Sequence, residues 1–201
     1  MQRLPLFPLP VVLFPGAWMP LHIFEERYRE MLTDCLAGSR EFGLVHHEPD
    51  EQGPFLSEVG RVGTIARIEK HQPLPDGRSM ILVRGGARFA IDRDLPMSHR
   101  YYEADVVPYL DAGVSKVGPM VEIRARTLEM FHDVVNALPD FDGAVPEYDV
   151  NVDLSFQLAP SIQIDGRWQQ SLLEARSETE RLERLEAVFQ AALEHQAPED
   201  G

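Results

Sequence analysis

Residues 4–32 read LPLFPLPVVLFPGAWMPLHIFEERYREML, and what this stretch becomes decides the fold. An apolar run so near an N-terminus could be a secretory leader, a membrane span, a proline-rich ligand or buried core. A leader must be nearly helical, yet Pro5, Pro8, Pro10 and Pro15 each remove an amide donor and clash with the preceding turn. No small-x-small cleavage pattern surrounds Ala17. A span needs about 20 continuous apolar residues, and His22, Glu25, Glu26 and Arg27 come too soon. Pro5-x-x-Pro8 has ligand spacing, but the residues between are large and apolar, which suits burial better. The stretch reads as buried strands.

The chain has 201 residues, 44% hydrophobic and 26% charged, as expected for one domain or two closely packed lobes. Its net charge of −14 is uneven: residues 1–111 carry −4 and residues 112–201 carry −10. Nonspecific nucleic-acid binding needs cations to displace condensed counterions, so this chain begins from repulsion. Anionic membrane surfaces are disfavoured for the same reason. Cys35 is the sole cysteine, leaving no intrachain disulfide or thiolate cluster. With no leader expected, a cytoplasmic location follows.

The first half reads as strands around one helix. Pro20 biases Met19 toward extended backbone, so AWMPLHIF is a strand. Helical spacing then puts Phe24, Tyr28, Met31, Leu32 and Cys35 on one stripe, with Gly38 as a stop. EFGLVHH is a short strand. Residues 61–94 form a long hairpin turned by Pro75-Asp76-Gly77, and Tyr102, Ala104 and Val106 alternate with Glu103 and Asp105. A nearly closed β-barrel is expected. Near Asp111 the period changes to 3.6. Met120, Ile123, Thr127, Phe131, Val134, Val135 and Leu138 share a face, and Glu122 and Arg126 pair on the other. An acidic loop over 139–153 leads to a short apolar piece. Two helices follow, divided by a capping box of Ser177 and Glu180. The fold class is therefore α+β, with a β-rich lobe over 1–111 and a helical lobe over 112–201.

The motifs that carry chemistry are sparse. There is no phosphate-cradling G-x-x-x-x-G-K-[ST], no G-x-S-x-G and no H-E-x-x-H. His46 and His47, near Glu48 and Asp50, point to opposite faces of a strand and cannot easily share an ion. Asp149, Asn151 and Asp153 imitate a calcium loop, but Leu154 and Pro160 occupy its glycine and bidentate positions. Gly85 and Gly86 in VRGGARF read as a strand bulge, and Cys35 as an inert core thiol. No catalytic residue, cofactor site or metal site is assigned.

The residues quoted first, followed by VGTIARI, PDGRSMILVRGGARF, YYEADVVPY, LSFQLA and LLEARSETERLERLEAVF, run in the order of a known family. The chain resembles the LON substrate-binding domain, the amino-terminal domain of ATP-dependent Lon proteases. One departure is Trp168-Gln169-Gln170, where many relatives have a lysine before the glutamine. The resemblance implies a PUA-like β-barrel lobe with one short helix, followed by a helical lobe. It also implies a non-enzymatic module without the ATPase and Ser-Lys protease parts, which recruits unfolded or partner polypeptides or docks a proteolytic machine. Pro15, Gly16, Pro20, Leu21, Phe24, Glu25, Arg27, Asp76, Gly77 and Phe89 would be its structural motif residues. A partner surface is expected where exposed aromatics meet the cleft between lobes, near Trp18, His22, Tyr28 and Arg88. The alternative is an RNA-binding PUA-like protein, using Arg61, Arg67, Lys70, Arg78, Arg84, Arg88 and Arg93.

Overall fold

The structure, a computed structural model, describes residues 2–48, 55, 57–96, 98–113, 117–138, 146–162 and 164–196. It is α+β. Strands β1 (Gln2–Leu9) and β2 (Trp18–Ile23) precede helix α1 (Glu26–Ala37), and β3 (Glu41–His46), β4 (Val62–Pro73), β5 (Ser79–Asp94) and β6 (Tyr102–Pro108) follow. Then come α2 (Val117–Ala137), the single turn α3 (Ser155–Leu158), α4 (Gly166–Glu174) and α5 (Glu178–Gln196). The chain divides into two compact units, residues 1–110 with 163–174 and residues 111–162 with 175–201. Helix α4 therefore groups with the β-rich unit.

In that unit the strand order is β2-β5-β4-β3-β1-β6, and β6 also pairs with β5. Five strands thus close into an uneven ring, with β2 as an added edge. The prolines of the opening stretch fit because β1 divides its pairing: Gln2–Leu6 pairs with β6, and Leu6–Leu9 with β3. Pro5 and Pro8 each sit where one flank of the strand has no such ladder to supply. Leu4, Leu6, Phe7, Leu13 and Phe14 are buried, so the run is core.

The turn after it is equally specific. Ala17 N–H donates to the Phe14 carbonyl (3.1 Å), with Pro15 and Gly16 (φ +81°) at the turn's centre. That is the geometry of a type II turn, which needs glycine third. The turn is fastened to β5 by bonds from Gly16 N–H to Gly85 O and from Gly85 N–H to Ala17 O, both 2.8 Å. Beside Gly85 the β4–β5 register slips between Thr64–Arg88 and Ala66–Gly85, placing the extra residue on β5. The bulge read from Gly85-Gly86 is present. Gly77 (φ +80°) closes the β4–β5 turn, whose Asp76 carboxylate accepts the Arg78 amide (3.0 Å) and Nε (2.6 Å). Phe89 is buried, and its ring fills the space left by the missing side chains of Gly43 and Gly63.

In the second unit α2 and α5 pack through Phe131 and Phe189, whose ring centroids are 5.6 Å apart. Met120, Thr127, Phe131 and Val135 are buried as the period required, as are Leu182, Leu185 and Phe189. Four details differ. Leu138 is exposed because α2 ends at Ala137. Arg126 bonds Glu186 of α5 (2.8 Å) instead of Glu122, since a neighbouring helix offers a bidentate carboxylate. Ser177 accepts the Glu180 amide only at 3.5 Å, and the Glu180 carboxylate is taken by Arg184 (2.6 Å). Gly38 ends α1, but the left-handed residue is Arg40 (φ 62°), whose amide bonds Cys35 O (2.9 Å). Residues 139–145 of the acidic loop and Asp50 lie outside the described residues.

Candidate functional site

The four residues expected to form a partner surface separate into two pairs. Trp18 and His22 are exposed on β2. Trp18 shows 54% of its surface, with the Arg84 guanidinium 5.6 Å from its ring centre. Tyr28, by contrast, is only 3% exposed, its ring 4.1 Å from that of Phe7, and burial pushes its pKa up to about 12. Arg88 is 6% exposed and donates to the Leu173 carbonyl near the end of α4 (2.6 Å). That carbonyl belongs to a helix C-terminus, which favours a cation. Tyr28 and Arg88 are thus structural, one as core and one as a strut.

The expectation for Phe24 is also corrected. Helical spacing puts it on the buried stripe of α1, but it shows 57% of its surface and lies beside His22, ring centres 5.5 Å apart. Helix α1 begins only at Glu26, so the direction of Phe24 follows β2. Glu25 is the residue before α1, accepting the Tyr28 and Arg29 amides through its carbonyl, and its carboxylate holds Arg27 Nε at 2.9 Å.

What these positions assemble is an apolar face. Antiparallel pairing sets Trp18 opposite Arg84, Pro20 opposite Leu82 and His22 opposite Met80. The alternate residues of β5, Ile81 and Val83, are buried. Trp18, Pro20, Met80 and Leu82 therefore present side chains on one outer surface, and Phe24, beside His22, adjoins its end, where it also lines a more polar cavity. A shallow groove of about 530 Å³ runs along this surface, bordered by Pro20, Lys70, Gln72 and Met80. Met80 and Leu82 carry a legible signal: SMILVR is apolar in both alternation phases, more than a half-buried strand needs. Leu21 is half-buried opposite Ile81.

A second, more polar cavity of about 600 Å³ is lined by Arg29, Glu30, His71, Ser79 and Arg100. His71 Nε2 lies 3.0 Å from Ser79 Oγ. No carboxylate orients the other ring nitrogen of His71 among the described residues, so the pair lacks the third member of a nucleophilic triad. Ligand atoms of Glu30, Asp34 and His99 come within 4.8 Å of one another. They are already engaged: Asp34 accepts the Tyr101 hydroxyl (2.8 Å), and Arg100 lies 3.7 Å from Glu30. His46 Nε2 is 3.4 Å from Glu48, while the His47 ring turns to Phe55 (5.4 Å), so the two imidazoles do not converge. Asp153 serves Ser155 and Arg181 (2.7 Å) and not a cation loop.

Cys35 is buried, its thiol donating to the Glu41 carbonyl (3.3 Å), and burial with the nearby Asp34 charge raises its pKa to about 12. A neutral disulfide reagent at pH 8 should label the unfolded chain, where the thiol titrates near about 8.5. It should leave the folded protein untouched. Labelling of folded material at the rate of a free thiol would contradict the burial of this stripe.

A family model described as the ATP-dependent protease La (LON) substrate-binding domain matches residues 3–188. The Lon protease of Azorhizobium caulinodans is 24% identical over 201 residues, covering 96% of this chain and 23% of that protein. The Lon N-terminal domain protein from Xanthomonas campestris aligns with 93% of this chain and 98% of its own, with 25% identity and a TM-score of 0.63. The N-terminal domain of a Mycobacterium avium complex Lon protease shares the fold at 17% identity, with a TM-score of 0.66 and coverage of 94% and 98%. The chain spans 12% to 25% of the length of the curated Lon proteases it matches.

Proposed function

The chain belongs to the family of the ATP-dependent protease La (LON) substrate-binding domain, and from that premise we propose that it is a non-enzymatic polypeptide-recognition module. It binds exposed apolar segments of unfolded or partner chains through the outer face of β2 and β5. The observation that carries this reading is the apolar, aromatic face of Trp18, Phe24 and Met80, exposed on a chain of net charge −14. Uncovered apolar surface of this kind marks interaction sites. Arg84 and Lys70, both exposed at its border, place positive charge beside it on a chain whose net charge is negative. A face of this size supports transient binding, of the order of micromolar. The role requires no chemistry from the chain itself. Its client could equally be passed to a proteolytic machine that this module docks. We place its work in the cytoplasm, where the unpaired Cys35 stays reduced. No helix among the described residues is long and apolar enough to cross a membrane.

Binding to a permanently unfolded polypeptide, reduced and carboxymethylated α-lactalbumin, tests the reading. Trp18→Ala should weaken it about tenfold, as loss of an aromatic anchor does. Val59→Ala, at a still more exposed apolar residue away from β2 and β5, should leave it unchanged. Equal affinity of the wild type and Trp18→Ala would remove the surface, and no binding by either would remove the role.

The RNA alternative loses most of its cations to carboxylates or the interior. Arg93 holds Asp105, Arg78 holds Asp76, Arg61 approaches Glu58 (4.0 Å), and Arg88 is buried. Retention on RNA that falls steeply with salt would revive it.

A further inference from the structure

Building on the recognition reading above, we infer that the bound segment joins the sheet as an added strand along the free edge of β2. Among the described residues β2 pairs only with β5. Gly85 N–H donates to the Ala17 carbonyl, which fixes the phase of the ladder. Alternation along an antiparallel pair then turns Met19, Leu21 and Ile23 toward β5 with their amides and carbonyls. Trp18, Pro20 and His22 turn theirs outward. The one proline of β2 thus sits on the outward phase, where its missing N–H breaks no bond to β5.

That placement gives the edge a definite chemistry. It offers three carbonyl acceptors, at Trp18, Pro20 and His22, but only two amide donors, at Trp18 and His22. A second copy of β2 would bring the same donor deficit, so two edges of this kind match each other poorly. An extended client without proline brings an amide at every residue and fits the acceptor excess.

Side chains specify the client further. On the outer face the added strand would lie beside Trp18, Pro20 and His22. On the other face it would lie beside Met19 and Leu21, which remain half-buried although they pack on the core. Their cover is incomplete, and an added strand on the unpaired edge of β2 would complete it. A strand flanked by apolar groups on both faces is itself apolar at successive residues, as a central strand is. The occupant is therefore an extended, proline-free run of about six residues from an unfolded polypeptide, matching the length of β2, about 20 Å. Such runs are buried in folded proteins, so the edge discriminates by folding state.

The probe is a fluorescein-labelled, C-terminally amidated octapeptide, Ser-Thr-Val-Phe-Val-Leu-Thr-Ser, and a second form N-methylated at every residue from Thr to Thr. At saturation, amide exchange followed by NMR should slow about tenfold or more at Trp18 and His22. Met19 and Leu21, already paired, should change little. The methylated form, which cannot donate, should bind about tenfold more weakly, the loss expected for two or more hydrogen bonds. A methylated peptide that binds as well as its parent would overturn strand addition, whatever the exchange pattern. So would a saturated complex with unprotected Trp18 and His22 amides. In either case the recognition reading stands if Trp18→Ala still weakens binding. A parent peptide and an unfolded protein that both fail to bind would instead overturn the reading itself, and the strand with it.

Discussion

Replacing Arg181 with methionine is expected to destabilise the protein by about 2–4 kcal/mol, less than for a wholly buried pair because the Asp111 and Asp153 side chains are 34% exposed and regain water. Arg181 is completely buried, and all five of its N–H groups are used. Nε donates to Ser155 Oγ (2.8 Å), one terminal nitrogen to Asp111 (2.9 Å) and the Ala175 carbonyl (2.8 Å), and the other to Asp111 (2.8 Å) and Asp153 (2.7 Å). The guanidinium also lies 4.2 Å from the Phe156 ring centre. Burial alone would favour loss of the proton, but the hydrogen bonds and charges of Asp111 and Asp153 outweigh it and hold the group charged. Methionine preserves the volume but removes the five N–H bonds that Arg181 makes to Asp111, Asp153, Ser155 and the Ala175 carbonyl. Lysine keeps the charge but offers three donors from one point, so Arg181→Lys should fall between the two. Urea unfolding followed by helical circular dichroism reads the effect, because the residues joined by Arg181 tie α3 and the start of α5 together. A loss below 1 kcal/mol for Arg181→Met would mean that the cluster is not what holds these segments.

Arg181 also shows where the sequence was legible and where it was not. It lies four residues before Leu185 and eight before Phe189, on the buried stripe of α5, so a charge in that phase was a visible anomaly. What the spacing could not reveal was that Asp111 and Asp153 would meet it from distant segments. Tyr28 poses the reverse case. Helical period placed it inside, residue type suggested a surface anchor, and the period prevailed because burial of a whole stripe outweighs one hydroxyl. For Arg88 the obstacle was the bulge. Before Gly85 the even residues of β5 face outward; after the slip Arg88 and Phe89 are both buried. A bulge announced by two glycines does not disclose which residue is extra, so the phase beyond it could not be assigned. The elements themselves were clear, since proline, turn chemistry and the change of period act locally. The outer face was only half legible: Trp18 and His22 stood out by type and SMILVR marked β5 as apolar on both faces, but setting Met80 and Leu82 beside Trp18 and His22 needed the register of β5 against β2.

The second large effect is expected at Gly85→Ala, and it joins the fold to the recognition surface. Gly85 has no need of a left-handed backbone, so its requirement is steric. A Cβ there would overlap the carbonyl oxygen of Phe14 and come within 3.3 Å of the Leu13 side chain. Neither can retreat cheaply, because Phe14 and Leu13 are core and the carbonyl belongs to the turn bonded to Gly85 at both amide and carbonyl. Overpacking at a rigid site costs about 1–3 kcal/mol, and loosening the two hydrogen bonds adds about 1–2 kcal/mol more. Gly86→Ala is the internal comparison: its nearest contact would be the Ile65 carbonyl at 3.2 Å, tight but not overlapping, so a loss of under about 1 kcal/mol is expected. The consequence reaches binding because the Phe14–Ala17 turn starts β2 and sets the direction of Trp18. At a temperature where Gly85→Ala remains folded, its affinity for unfolded polypeptide should fall although Gly85 is buried beneath the turn. Thermal unfolding and the binding assay, run on both alanine variants, decide the matter. A Gly85→Ala protein as stable as Gly86→Ala, with wild-type binding, would show that the glycine does not seat the turn on which the edge strand depends.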